Sequence, residues 1–317
     1  YESGVLVGAR GAYTLGTAID AVRVPSTVRT VLAERVDRLP MAEKQLLQTA
    51  AVIGVVIPLR LLQAVAGLPY EEIQRYLFDL QAAEFLFESN LFPDLEYSFK
   101  HALTGEVVYG ALLHDRRTAL HASIVRTLEK LAGDNDHIEA LAHHAFQAEL
   151  WDVAVRYLRQ AGAKAMSRSA FLESVANYRK ALTALTHIPD SSDKLAEEID
   201  LHLDARNVLF LLGDSKAVAE HLQAAEPLAE RLGDEQRLAR VLNFLNSYYG
   251  LAGDPERAIE IGKRALKLGV IQAEAASSIV TYYYLGAAYN KTGQYDLAIE
   301  VLLRGVKNIV DDLRHER

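Results

Sequence analysis

Three tight-turn sequences recur at a step of forty residues: Leu212-Gly213-Asp214, Ala252-Gly253-Asp254 and Thr292-Gly293-Gln294. Other positions keep the same step, Ala225 with Ala265 and Gly305, Val218 with Ala258 and Ala298. A fixed period of this size, with room for two helices per unit, is the signature of an α-solenoid. The fold class predicted for the whole chain is therefore mainly α, with the solenoid as its larger part.

The last unit gives the strongest pattern. Tyr282, Leu285, Gly286, Tyr289, Ala298, Leu302 and Gly305 fall at the spacings of a tetratricopeptide repeat. The reason is steric: small residues let two helices cross closely and large ones fill the gaps between them. Such repeats run to about 34 residues, so a step of forty implies longer helices or longer inter-repeat loops. The preceding unit repeats the pattern with Leu242, Leu245, Tyr249, Ala258 and Ala265. An earlier one reads Leu158, Ala161, Gly162, Ala165, then Ser174, Tyr178 and Ala181. Two placements stay open for the helix at 138–148: paired with Trp151–Ala163, or standing as a linker. By the repeat register Asn207, Arg240, Asn243, Tyr283, Asn290 and Lys291 project from first helices toward the concave face. Their donors and acceptors suit the backbone and carboxylates of an extended peptide.

Upstream the pattern changes. Residues 4–15 alternate around Gly8 and Gly11 and predict a small hairpin. After Pro25 a helix is expected, capped by Ser26 or Thr27, with Val28, Val31, Leu32, Arg35, Val36 and Leu39 on one stripe and Pro40 as its stop. Three short helices follow, at 41–53, 58–66 and 69–83, punctuated by Gly54, Pro58, Gly67 and Pro69. Then Phe85 and Phe87, and after Asn90, Pro93 and Asp94 the pair Tyr97 and Phe99, alternate with polar residues as a β-hairpin does. Three helices and a hairpin are the order of a winged helix. Helix returns from Ala102 to Leu131, broken at most near Gly105 and Gly110. The predicted domains are 1–40, 41–131 and 132–317.

Charge excludes several functions. The net charge is −8. The third short helix presents Glu71, Glu72, Asp79 and Glu84, and the hairpin adds Glu88, Asp94 and Glu96, the wrong sign for a groove lined with phosphates. No nucleic-acid partner is expected. There is no cysteine, which removes disulfides and thiolate zinc and fits a reducing cytoplasm. The longest apolar run, Ala50 to Leu59, is broken by Gly54 and Pro58 and is too short to span a membrane. His114, His121, His137, His143 and His144 lack H-E-x-x-H spacing, and adjacent helical histidines diverge by about 100°, so no metal site is predicted. The chain lacks G-x-x-x-x-G-K-[ST], because no Lys-Ser/Thr follows Gly4, Gly8 or Gly11, so it should not hydrolyse ATP alone. It starts without methionine and in mid-pattern, and reads as a fragment of something longer.

The runs VPSTVRTVLAERVDRLP…EKQLLQTAAVIG, AAEFLFE…YSFKHALTGEVVY and LAHHA…WDVAVRYLRQAGAKAMSRSA resemble the C-terminal half of bacterial STAND-type signalling ATPases, proteins often fused to an adenylate or guanylate cyclase domain. The resemblance covers nearly the whole chain. It implies the end of an NTPase lid at 1–40, a winged helix at 41–131 and a sensor of tetratricopeptide repeats at 132–317. The implied partners are a protein or peptide in the solenoid groove and an NTPase core of the same polypeptide, which would hold ATP or ADP with Mg. No cofactor is expected in the fragment itself. Ser98-Phe99-Lys100-His101-Ala102 is similar to the Met-His-Asp motif of that family, in which the histidine reaches the β-phosphate of ADP. Lys100 and Ala102 depart from the motif, and Lys100 adds positive charge beside His101. The groove set does not match the carboxylate clamp of chaperone-binding repeat proteins. Two rivals are a transcription activator of the maltose-regulon type and a plain repeat scaffold.

Overall fold

The computed structural model describes residues 6–9, 12–15, 26–90, 94–131, 137–268 and 275–315. The predicted turn residues Gly11 and Pro93, the side chains of Ser26 and Thr27, and the loop at 133–136 lie outside the described residues. The chain divides into two compact units, residues 1–134 and 135–317. Among the described residues no helix is long and apolar enough to cross a membrane.

In the first unit, β1 (Leu6–Ala9) and β2 (Ala12–Leu15) form an antiparallel hairpin. Helix α1 (Ser26–Asp37) follows, then α2 (Met41–Ile53), β3 (Ile57–Pro58), α3 (Leu59–Ala66) and α4 (Tyr70–Ala82). Prolines 40, 58 and 69 sit at the N-caps of α2, α3 and α4, where their missing N–H costs nothing. Gly67 closes α3 in the left-handed region at φ 66°, its N–H donating to Gln63 O. Strands β4 (Leu86–Asn90) and β5 (Glu96–Phe99) pair antiparallel, and β3 adds to the other edge of β5, giving the order β3-β5-β4. The core lies between this sheet and the helices: Leu46, Leu47, Ile57, Leu62, Ile73, Leu77, Leu80 and Tyr97 are almost wholly buried. Val36 of α1 belongs to the same core. Burial pushes the Tyr97 phenol up to about 12, with the nearby Glu88 charge adding to it.

Two details of the sequence reading are corrected here. The α1 stripe is narrower than expected: Leu32 and Val36 are buried, whereas Val28 and Val31 are 45% and 55% exposed. The hairpin alternation is displaced as well. Glu84 takes a left-handed φ of 58° and Phe85 N donates to Leu80 O, so the chain turns before β4 begins. Phe85 and Leu86 are buried as neighbours and Phe87 faces outward. Beyond the sheet come α5 (Ala102–Gly110) and α6 (His114–Leu131), with the break after Gly110.

The second unit is helical: α7 (Ile138–Gln147), α8 (Trp151–Ser167), α9 (Phe171–Leu185), α10 (Ser192–Leu211), α11 (Ser215–Leu232), α12 (Glu235–Ala252), α13 (Pro255–Lys267), α14 (Ala275–Lys291) and α15 (Tyr295–His315). Consecutive helices pack as α8 on α9, α10 on α11, α12 on α13 and α14 on α15, while α12 also touches α10 and α14. The open placement of the 138–148 helix resolves as packing of α7 on α8. The Gly-Asp turns explain the step of forty. Gly213, Gly233 and Gly253 all adopt left-handed φ of 70–82°. The following Asp214, Asp234 and Asp254 each cap the next helix through a backbone N–H. Gly213 and Gly253 turn the chain within a helix pair, and Gly233 turns it between pairs. The step from Gly213 to Gly253 thus comes from the 18-residue helices α11 and α12 joined by short turns, whereas the step from Gly253 to Gly293 holds the 13-residue α13 and 17-residue α14 with residues 268–274 between them.

Small residues do what the pattern requires. A Cβ on Gly162 would lie 2.6 Å from the Tyr178 ring, and one on Gly305 2.9 Å from Tyr282. Buried side chains then fasten the crossing helices: Ser174 Oγ donates to Gly162 O at 2.8 Å, and Asn246 Nδ2 to Ala258 O at 2.7 Å.

Candidate functional site

The first candidate is the corner between β5 and α5. Lys100 N donates to Phe85 O at 2.9 Å, which anchors the end of β5. His101 stays extended (φ −134°, ψ 128°) as the N-cap of α5, and its backbone oxygen accepts from Thr104 N at 2.9 Å. Gly105 lets α5 lie close on Phe99, since a Cβ there would come within 3.0 Å of the ring. The side chains of Lys100 and His101 are both exposed. Neither has a hydrogen-bond or ion-pair partner among the described residues. Glu106 sits in the second turn of α5 and pairs with Arg29 at 3.4 Å. Tyr109 is half-buried with its hydroxyl 3.1 Å from Nε2 of the buried His121. A cavity of about 310 Å³ lies beside this corner, lined by Ala51, Val55, Phe99, Gly105, Glu106 and Tyr109 among others.

The second candidate is the layer of first helices α10, α12 and α14. The six residues assigned to it do not behave alike. Tyr283 is 60% exposed, and Asn290 and Lys291 are exposed, with Lys291 Nζ donating to Gly250 O at 3.0 Å. Arg240 is half-exposed and lies 3.8 Å from Asp200. Asn207 is half-buried and its Oδ1 accepts from Arg206 at 3.2 Å. Asn243 does not project into a groove: it is buried and bonded to the Thr281 hydroxyl of α14. The register argument failed there because α12 is covered on that side by α14, and a polar side chain at such a contact bonds inward.

Sequence reasoning missed a ladder of ion pairs between successive helix pairs. Arg159 reaches Glu197 and Asp204 at 3.1 and 2.8 Å, Arg237 reaches Asp200 at 2.9 Å while also pairing with Asp234, the cap of its own helix, at 2.6 Å, and Arg264 reaches Glu226 and Glu230 at 2.7 and 2.6 Å. Burial works against the charge of Arg159, but Asp204 and Glu197 outweigh it and hold the guanidinium above its usual range. Hydrogen bonds to Asp200 do the same for Arg237, against a burial penalty. Partners such as Arg159–Glu197 and Arg264–Glu226 stand 38 residues apart. That spacing, close to the repeat step, was the available signal.

Arg206 breaks this habit. It is the buried arginine of the unit, 8% exposed, stacked between Phe244 at 4.1 Å and Phe210 at 4.8 Å. Among the described residues no carboxylate pairs with it, and its Nε is buried with no hydrogen-bond partner there. Burial pushes its pKa down, the opposite of Arg159, Arg237 and Arg264.

No family model matches the chain. An uncharacterized protein of Rhizobium meliloti (strain 1021) is 30% identical over 152 residues, which is 47% of this chain and 15% of that protein. The chain therefore spans about 15% of the length of the curated relative it matches. Solved structures that match the chain include BtubC from P. vanneervenii, at 19% identity and TM-score 0.45, covering 62% of this chain and 82% of that one. A signal transduction ATPase with numerous domains and a tetratricopeptide repeat sensor, from Pyrococcus horikoshii, shows 13% identity and TM-score 0.42 over 93% of this chain and 55% of its own. Aspartyl phosphate phosphatase F from Bacillus subtilis shows 14% identity and TM-score 0.44, covering 90% of this chain and 69% of that one.

Proposed function

We propose that this chain is the regulatory and protein-interaction part of a STAND-type signal-transduction ATPase. In this reading residues 1–40 end the NTPase lid, 41–131 are a winged helix, and 132–317 are a tetratricopeptide-repeat solenoid that takes a protein or peptide. An NTPase core of the same polypeptide would bind ATP or ADP with Mg. The observation that carries the reading is the β5–α5 corner, where Lys100 and His101 are exposed and without side-chain partners. An imidazole and an ammonium beside the uncapped start of a helix suit a phosphate, which accepts hydrogen bonds from both and from free backbone N–H groups. The strand order β3-β5-β4 behind α2, α3 and α4 supports the winged-helix assignment.

Partner binding in the repeats would shift the winged helix and so move His101 relative to the nucleotide. Solenoids suit such a role because each repeat contacts only its neighbours and small rotations accumulate. The test uses the longer polypeptide that contains the nucleotide core, with a fluorescent ADP chased by excess ATP. His101→Ala is expected to release ADP faster by about tenfold, the scale of one charge-assisted hydrogen bond. An unchanged off-rate eliminates His101 as the nucleotide sensor.

A further inference from the structure

We propose that Arg206 anchors a pocket for a carboxylate carried on an apolar stem of a bound peptide. The inference rests on the reading of the repeat unit as a peptide-binding scaffold, and names the chemistry that the scaffold would recognise.

A guanidinium carries five N–H donors and keeps its charge at any ordinary pH. In Arg206 one donor, on Nη1, meets the neutral Asn207 Oδ1 at 3.2 Å, and Nε meets nothing. Taking such a cation out of water without an anion is unfavourable. The Phe210 and Phe244 rings offset part of that penalty and hold the guanidinium plane in place. Arg159, Arg237 and Arg264, which see more water, each have two carboxylates and Arg240 has one; among the described residues Arg206, with the least water, has none. Charge complementarity therefore asks for an anion that the described residues do not supply.

Space for one exists. A cavity of about 210 Å³ is lined by Arg206, Phe210, Val218, Leu251, Ser215 and Tyr248 among others. Phe210 and Leu251 are 51% and 61% exposed, so its mouth is apolar. That volume accepts a single amino-acid side chain. Ser215 and Tyr248 bring hydroxyls to the lining, and α11 starts at Ser215, so its N-terminal dipole favours negative charge nearby. Asp214 is engaged as the cap of α11, accepting from Ala217 N at 3.0 Å. A planar, bidentate acceptor with an apolar neighbour fits this set. Two sources share that chemistry, the terminal carboxylate of an apolar last residue and an acidic side chain.

The experiment titrates N-acetylleucine, N-acetylleucinamide and N-acetylglutamic acid α-amide into the isotope-labelled 317-residue chain, read at the Arg206 Nε–H resonance. The expected result is a saturable shift, in the millimolar range for probes this small, with an acid and none with leucinamide. A response to N-acetylleucine alone assigns a chain terminus, and one to the glutamic acid derivative alone assigns a side chain. Leu251→Glu, at an exposed site, places a carboxylate at the mouth and is expected to weaken binding at least about tenfold. The proposal is overturned if neither acid gives a saturable shift, if leucinamide matches them, or if Leu251→Glu binds the acids like wild type. A protein partner held equally by wild type and Leu251→Glu would remove the pocket while leaving the scaffold reading intact.

Discussion

His202 and His221 face each other across α10 and α11 with their Nδ1 atoms 2.9 Å apart. Two imidazoles in that geometry share one proton, one ring donating and the other accepting, so the pair cannot be doubly charged without separating. Burial, and then the His221 ring, hold His202 down at about 4; burial and Arg179 also lower His221, against a weaker opposing pull from Glu220. A folded-state value below that of the unfolded chain means that the unfolded state takes up more protons. Stability from this pair is complete above about pH 6.5 and is lost as pH falls toward 4. Acid unfolding of the repeat unit should cost on the order of 2 kcal/mol across that window, and His202→Gln should flatten the dependence. A His202 ring that titrates near its ordinary value by NMR would contradict this. Nothing in the sequence announced the pair, because positions 202 and 221 meet only once the helices are docked. The same holds for Arg206 and Asn243: residue type was visible, but burial depends on which neighbour covers each face.

Elements were far more legible, because their signals are local. Proline N-caps mark where α2 to α4 begin, Ser191 and the Asp caps where α10 to α13 begin, and left-handed glycines where α3, α11 and α12 end. The two-residue strand β3 was invisible, since Ile57–Pro58 has no length over which to alternate and gains its identity only by pairing with β5. Helix crossing was legible through small residues, and it yields a sharp test. The Cβ of Gly162→Ala would enter the ring of Tyr178, itself 3% exposed, at 2.6 Å. The gain in helix propensity is under about 1 kcal/mol, whereas overpacking a core costs about 1–3 kcal/mol. A net lowering of the urea midpoint is expected. Gly110→Ala, where nothing lies within 4 Å of the added carbon, should not destabilise. Equal midpoints for Gly162→Ala and wild type would show that the α8–α9 crossing is looser than described.

For the molecule as a whole, the second unit is held in register by ion pairs that step from one helix pair to the next. Each is part-exposed and worth about 1 kcal/mol or less, so their contribution is alignment more than stability. A stack so arranged leaves Tyr283 and Asn290 exposed on α14, with Lys291 exposed beside them and its Nζ held by Gly250 O. Aromatic and basic residues of this kind dominate interfaces when a partner desolvates them. The repeat architecture that makes such a layer was legible from the forty-residue step alone. Which of its side chains stay free was not, because that depends on contacts between helices far apart in sequence. Protein binding at this layer, as proposed above, would run through these α14 side chains. The most direct measurement is the dissociation constant of a partner isolated on the wild-type chain, compared with the double variant Tyr283→Ala, Lys291→Glu at matched thermal stability. Affinity is expected to fall by about tenfold or more; equal affinity for the two chains would rule out this face as the binding layer.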